Sequence, residues 1–350
     1  MTRPLTDAPE TPGRPDTPGA PDTPGRPGGP AAPAAARPAQ PREGRLRALA
    51  RLGKLDVYDY YPSILVALSA VLLPLSDLAP RAGVALAVFL VGEVCVVMAM
   101  VALDDITGYH DGSDAANYGP DHPLRNILRK PLVAGTLTLR EAHLFAWGCA
   151  VVGAALWGAA AALAPHRPGW ALLVTAGLLV VSLQYSYGLK ISYHGFQEVF
   201  LCGLGVGLVV VPHALVTGGF SGFLLVQGVL FGCGPLLFGV YSNTNDIAGD
   251  RAVGRRTVAA LVSPRGNARF VGALSVGEFA VGAGASVAGV APWWFVLAML
   301  PVTALRARQF HLGFVVGDIM RARRLGFTAH RVATALLIGA NLALGAEVLA

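Results

Sequence analysis

The feature that most limits how this 350-residue chain can fold is a succession of long apolar stretches separated by short polar loops. A membrane-spanning helix needs roughly 20 mostly apolar residues. Stretches near that length occupy 60–79, 82–103, 142–164, 169–186, 199–216, 223–241, 271–290, 293–306 and 332–350, with Pro74 and Pro301 softening the first and the eighth. The pattern predicts an all-α, polytopic membrane protein, a bundle of nine transmembrane helices, with 310–320 as a weaker re-entrant or interfacial run. Composition agrees: 14% of the residues are charged, against about 25% in soluble domains. Four cysteines cannot staple a chain of this size, and all of them (Cys95, Cys149, Cys202, Cys233) fall inside apolar stretches as packing residues.

The basic residues orient the bundle. With the N-terminus inside, the inner loops are 104–141, 187–198, 242–270 and 307–331, and of the 27 Lys and Arg residues only Arg81 and Arg167 fall in outer loops. That distribution obeys the positive-inside rule and predicts a multi-pass protein of the plasma membrane with a cytoplasmic N-terminus. The net charge of +6 therefore reflects where arginines sit around a bilayer and implies no nucleic-acid partner. Residues 1–45 read as a disordered tail: 12 of the 25 prolines lie in 1–43, and Thr11–Gly28 repeats TPGRPD, TPGAPD, TPGRPG every six residues. The tail has no apolar core of a signal peptide. Arg42, Arg45, Arg47, Arg51 and Lys54 then form a basic flank before the first span, and 46–350 is the membrane domain.

Three polar clusters lie at the expected inner ends of spans. After the second span come Asp104, Asp105, Asp111 and Asp114. Asp104 and Asp111, seven apart, share a face if the helix continues, and carboxylates so crowded repel unless cations hold them. A Mg2+ ion, which takes one or two carboxylates with phosphate oxygens and waters, is one reading; a solvated acidic loop is the other. After the sixth span, Asp246 and Asp250 are four apart and point the same way, with Arg255 and Arg256 one to two turns on. Carboxylates for a metal beside guanidiniums for phosphate would form a diphosphate site; a plain i,i+4 surface ion pair is the other reading, which two acidic clusters at the same membrane depth weaken. After the fourth span, Tyr185, Tyr187 and Lys190 read either as interface anchors or as part of the same site. Glu93, Glu198, His213 and Glu278 lie in or near spans and receive no role.

These residues resemble the UbiA superfamily of intramembrane prenyltransferases. The segment Asp246-x-x-x-Asp250-Arg-x-x-Gly254-Arg-Arg256-Thr257 is similar to the family's D-x-x-x-D-R-x-x-G-[KR]-[KR]-T, Lys130-Pro-Leu-x-x-Gly135 to its R-P-L-x-x-G, and Tyr185…Lys190 to its Tyr…Lys motif. The first motif resembles the N-D-x-x-D-x-x-x-G-x-D of the branch that prenylates 1,4-dihydroxy-2-naphthoate, but Asp104 stands on the Asn and Gly108 on the middle Asp. The resemblance covers about residues 50–350. It implies nine helices and Mg2+-dependent transfer of a prenyl group from an isoprenyl diphosphate to an aromatic or quinone-precursor acceptor within the lipid membrane. It also implies Asp104, Asp105, Asp111, Asp114, Asp246 and Asp250 as metal-holding and catalytic carboxylates. Lys130, Tyr185, Lys190, Arg255 and Arg256 would then serve the diphosphate. Asp111 would replace the missing middle carboxylate from the next turn, or metal binding would differ.

Other readings compete. A terpene cyclase would share the fold and the ionisation without an acceptor. A CDP-alcohol phosphotransferase needs D-x-x-D-G-x-x-A-R, which Asp111-Gly112 does not complete. A transporter would place its carboxylates near the midplane rather than at one surface.

Overall fold

The structure, a computed structural model, describes residues 44–71, 80–118 and 126–349, with side chains to 346. Residues 1–43, all but the last two residues of the expected disordered tail, and 72–79, the end of the first apolar stretch, lie outside the described residues. Of those two, Gly44 precedes α1 and Arg45 begins it, so the helical chain starts one residue earlier than expected.

Most of the described residues are helical. A short N-terminal helix α1 (Arg45–Leu52) precedes α2 (Ser63–Val71), α3 (Pro80–His110), the one-turn α4 (Ser113–Asn117), α5 (Leu139–Leu163), α6 (Gly169–Leu183) and α7 (Gln197–Thr217). Then follow α8 (Gly222–Asn245), α9 (Ile247–Ala252), α10 (Val258–Leu261), α11 (Pro264–Val287), α12 (Phe295–Ala298), α13 (Leu300–Phe310) and α14 (Ile319–Leu349). No strand occurs among the described residues. Each expected span meets a helix, and among the described residues six helices (α3, α5, α7, α8, α11, α14), against the nine expected, are long and apolar enough to cross a membrane.

The differences from the expected boundaries have local causes. α3 runs past residue 103 to His110, so Asp104 and Asp105 lie on its last turns rather than in a loop. The eighth span breaks into α12 and α13, with Pro301 in the first turn of α13, where a missing N–H costs nothing. The segment 310–320 forms a π-helical turn, His311–Val315, before α14 begins.

Caps set the starts. Thr138 closes a reciprocal capping box with Glu141 at the head of α5, Ser221 caps α8, and Ser263 with Pro264 opens α11. The α5–α6 turn meets the C-terminal end of α7 through the His166 amide donating to the Leu215 carbonyl at 3.1 Å. The C-terminal ends of α3, α6 and α8 therefore gather at the other end of the bundle.

The interior is held by close approach and by buried polar pairs. A Cβ on Gly205 of α7 would lie 2.4 Å from the Cα of Gly232 on α8, so these helices touch backbone to backbone, as small residues allow in lipid. Phe89 and Trp157 stack at 5.2 Å between α3 and α5. Glu278 and Glu93, left without a role by sequence, have partners. Glu278 accepts two bonds from the buried Arg306 guanidinium at 2.7 and 2.9 Å, and Glu93 accepts from the Ser63 hydroxyl at 2.9 Å. Both join neighbouring helices where an uncompensated charge would be costly.

Candidate active site

At the bundle end where α3 and α8 terminate, a cavity of about 450 Å³ opens between them. Its inner wall is apolar, with Val97, Met100 and Val101 of α3, Leu201 of α7, and Pro235 and Phe238 of α8. Its mouth is charged.

Two acidic clusters meet across this cavity. From the α8 side, Asp246 follows directly on the helix and Asp250 sits one turn later on α9; both line the cavity. The Thr257 hydroxyl donates to Asp250 Oδ2 at 3.0 Å. Burial pushes the Asp250 carboxyl up to about 6, against the pull of Arg255 and the Thr257 bond. From the α3 side, Asp104 lines the cavity at the last turns of the helix.

The chain then reverses. Gly112 adopts φ +80°, a left-handed conformation that costs glycine no Cβ clash, and α4 returns over the end of α3. That reversal folds Asp114 back onto Gly108: a Cβ at 108 would lie 2.7 Å from the Asp114 carboxyl carbon. Asp114, not Asp111, therefore occupies the space beside position 108 and faces the cavity. Asp111 turns elsewhere. It accepts the Ser113 amide at 3.0 Å and the Tyr193 hydroxyl. Burial raises its carboxyl, but these bonds outweigh that and leave it below the usual range.

Asp105, although adjacent to Asp104, is only 1% exposed and lies beneath the cavity wall. Its Oδ1 takes Lys130 Nζ at 2.7 Å and Lys54 Nζ at 3.1 Å. Lys130 also reaches Asp114 Oδ1 at 2.6 Å. Burial works against the Lys130 ammonium, but Asp105 and Asp114 prevail and hold it well above an ordinary lysine. Arg255 completes the cationic set, with Nη2 3.5 Å from Asp104 Oδ1 and 3.0 Å from the Ser192 hydroxyl, and its guanidinium over the Tyr193 ring at 5.1 Å.

Of the remaining sequence candidates, Tyr185 lines the cavity with its ring 4.8 Å from Phe200. Tyr187 packs instead against His143 and Trp147. Lys190, in a left-handed conformation at φ +50°, sits over the Tyr193 ring at 5.1 Å. The Arg256 side chain is exposed, and its amide donates to the Tyr193 carbonyl at 3.2 Å. The structure thus brings Asp104, Asp114, Asp246, Asp250, Lys130, Tyr185 and Arg255 to one cavity, and sets Asp105, Asp111, Lys190 and Arg256 around it.

Sequence reasoning passed over several site residues. Lys54, Asn117 and Asn243 line the cavity, and Tyr193 organises Asp111, Lys190 and Arg255. Asn117 also packs on Gly249, where a Cβ would meet its Oδ1 at 2.7 Å, so α4 rests directly on α9. Glu198, unassigned by sequence, accepts from the Val258 amide at 3.2 Å and from Asn243 at 3.4 Å.

Unmet polar atoms show what the cavity can take. Among the described residues, Asp114 Oδ2 is buried with no donor and Arg255 Nε is buried with no acceptor. No three His, Cys, Asp or Glu side chains among the described residues converge tightly enough to hold a metal alone. The donor set still suits a hard divalent ion, since such an ion completes its shell with phosphate oxygens and water, and phosphate oxygens equally suit the arginine and lysines.

Fold and cavity together define a polytopic, all-helical membrane protein with a charged cavity at one end of its bundle. The sequence profile of the UbiA prenyltransferase family matches residues 62–315, and the chain belongs to that family. Solved structures share the fold. A UbiA homolog from Aeropyrum pernix K1 superposes with a TM-score of 0.60 at 18% identity, over 80% of this chain and 97% of its own. A UbiA homolog from Archaeoglobus fulgidus, bound to DMAPP and Mg2+, gives 0.58 at 13% identity, over 85% and 99%. A digeranylgeranylglyceryl phosphate synthase gives 0.58 at 12%, over 85% and 99%. No curated protein sequence matches the chain.

Proposed function

We propose that this protein is a prenyltransferase that moves a prenyl group from an isoprenyl diphosphate to an aromatic or quinone-precursor acceptor, in the plasma membrane and at its cytoplasmic face. The observation that carries the reading is the pairing of unmet groups in one cavity, an acceptor on Asp114 and a donor on Arg255, above a wall of apolar side chains. A ligand that brings both anionic oxygens and a divalent cation meets both needs, and a hydrocarbon tail meets the wall. The A. fulgidus relative bound to DMAPP and Mg2+ supports the same ligand class. The basic flank at 42–54 and the arginines of 251–269 support the cytoplasmic placement.

In this reading Asp104, Asp114, Asp246 and Asp250 hold Mg2+, with Asp114 standing in for the carboxylate that Gly108 lacks. Mg2+ held by these residues would supply Lewis-acid neutralisation of the diphosphate charge. Lys130 and Arg255 bind the diphosphate oxygens, and stabilise the leaving group most as its charge grows. The apolar wall shields the allylic cation from water, and the Tyr185 ring faces it. The acceptor carbon attacks that cation, the electron pair of the broken C–O bond having left with the diphosphate, and the ring proton then passes to water or to the released diphosphate.

Membranes bearing the full chain, incubated with labelled geranylgeranyl diphosphate and Mg2+, with and without 1,4-dihydroxy-2-naphthoate or 4-hydroxybenzoate, test this. Prenylated acceptor is the expected product. Terpene released without acceptor would replace transfer by cyclisation, and diphosphate consumed in neither case would reject the reading for this chain length.

A further inference from the structure

Lys54 has an unusual backbone and an unusual partner. It follows α1, an amphipathic helix that buries Ala48 and Leu52 and turns Arg45, Leu46 and Arg47 outward. At Lys54 the chain adopts φ +49°, a left-handed conformation that is strained for a residue with a Cβ. The result is that a side chain otherwise destined for the surface lines the cavity. There its ammonium lies 3.1 Å from Asp105 Oδ1 and 3.8 Å from Asp104 Oδ2. Asp105 Oδ1 is shared with Lys130 Nζ at 2.7 Å. One carboxylate oxygen thus faces two ammoniums, both of which line the cavity while Asp105 itself lies below it.

A carboxylate in that position is badly placed to bind a metal. Two cations already share its Oδ1, and Asp105, unlike Asp114, is not among the residues that line the cavity, so its Oδ2 is buried away from it. Its effect is instead to hold like charges together, since two ammoniums facing one cavity repel unless an anion lies between them. Two lysines fixed side by side are the complement of an anion with two charged ends.

Resting on the proposed diphosphate reading, we infer that Lys54 is a diphosphate-binding residue delivered by the N-terminal helix, and that Asp105 is the shared counter-ion of Lys54 and Lys130 rather than a metal ligand. Lys54 and Lys130 grip the diphosphate, and Asp104, Asp114, Asp246 and Asp250 face the metal.

The test uses the full chain in phospholipid nanodiscs. Inorganic pyrophosphate is titrated calorimetrically with and without Mg2+, and Mn2+ is titrated at saturating pyrophosphate with detection by electron paramagnetic resonance. Lys54→Gln is expected to weaken pyrophosphate about tenfold in both conditions with an unchanged melting temperature, as befits a lost charge-assisted contact. Lys54→Arg should recover most of that loss, and Arg140→Gln, an exposed cation at the same end of the bundle, should show none. Asp105→Asn should leave Mn2+ affinity within about twofold of wild type, where Asp250→Asn weakens it at least about tenfold. Wild-type affinity for pyrophosphate in Lys54→Gln would overturn the role of Lys54. Loss of Mn2+ in Asp105→Asn to the extent seen in Asp250→Asn would make Asp105 a metal ligand. Wild-type protein that binds no pyrophosphate in either condition would reject the diphosphate site itself, and this inference with it.

Discussion

The two acidic clusters reach one cavity by different routes. The second is direct: α8 ends, Asp246 follows, and Asp250 comes one turn later on α9, so spacing along the chain becomes proximity in space. The first is indirect. α3 overruns its expected end, Gly112 reverses the chain, and α4 brings Asp114 back over Gly108. A carboxylate seven residues from Asp104 would share its face on a continuing helix, but the helix stops at His110 and Asp111 goes to Tyr193. Spacing rules hold within an element and fail at the residue where the chain turns.

If the second cluster holds the metal, Asp246→Ala and Asp250→Ala should each cut prenyl transfer by about 10²–10³-fold, the scale of losing a group that stabilises transition-state charge, with the helical circular-dichroism signal unchanged. Turnover at the wild-type rate in both would remove the α8 side from the site.

Asp114→Ala should cost about 10²-fold if the reversed chain supplies the missing carboxylate. Gly108→Asp collides with Asp114 and should lower activity in the otherwise wild-type chain. In the Asp114→Ala background it should restore part of what was lost. This double-mutant cycle reads the coupling directly, and simple additivity would deny that the two positions share a space.

Acid should loosen the metal. With its carboxyl raised to about 6, Asp250 is largely ionised at pH 7 and largely protonated at pH 5. A protonated carboxylate does not bind a metal, so Mg2+ affinity should fall by about tenfold between those values. In the metal-free protein the sign is opposite: a raised carboxyl favours the protonated fold, so this group destabilises the fold as pH rises through 6. Titrations of Mg2+ at the two pH values check the first, and thermal melts without metal check the second.

The smallest effect sharpens the contrast. Asp111→Asn and Tyr193→Phe, which break the same contact outside the cavity, should each reduce turnover by about threefold or less, and together by little more than either alone. A loss in Asp111→Asn matching that in Asp114→Ala would return Asp111 to the metal.

Much of the site was legible because its residue types are uncommon beside apolar spans. Asp246, Asp250, Lys130, Tyr185 and Arg255 could be nominated from sequence, and all line the cavity. Arg255 and Arg256, equivalent on paper, separate in space: one faces Asp104 and the other faces outward. Lys54 gave no signal beyond membership of a basic flank, because what brings it inward is a backbone angle that no residue type there announces. Tyr193 and Ser192 lie on a turn whose partners are Asp111, just past the end of α3, and Arg255, in the segment after α9, more than 60 residues away in the case of Ser192 and Arg255.

By itself, the sequence determined the solvent. Runs of apolar residues of membrane length, with cations confined almost wholly to alternate loops, allow few folds other than a helical bundle in lipid, because burial of apolar surface and satisfaction of the backbone both act locally along each run. Tertiary structure decided the division of labour among neighbouring carboxylates. Asp104 faces the cavity and Asp105 lies beneath it, and Asp114 returns while Asp111 departs. These outcomes depend on which helix end lies opposite and on where the chain can reverse, and pairwise electrostatics over a few ångströms follows positions that only packing sets.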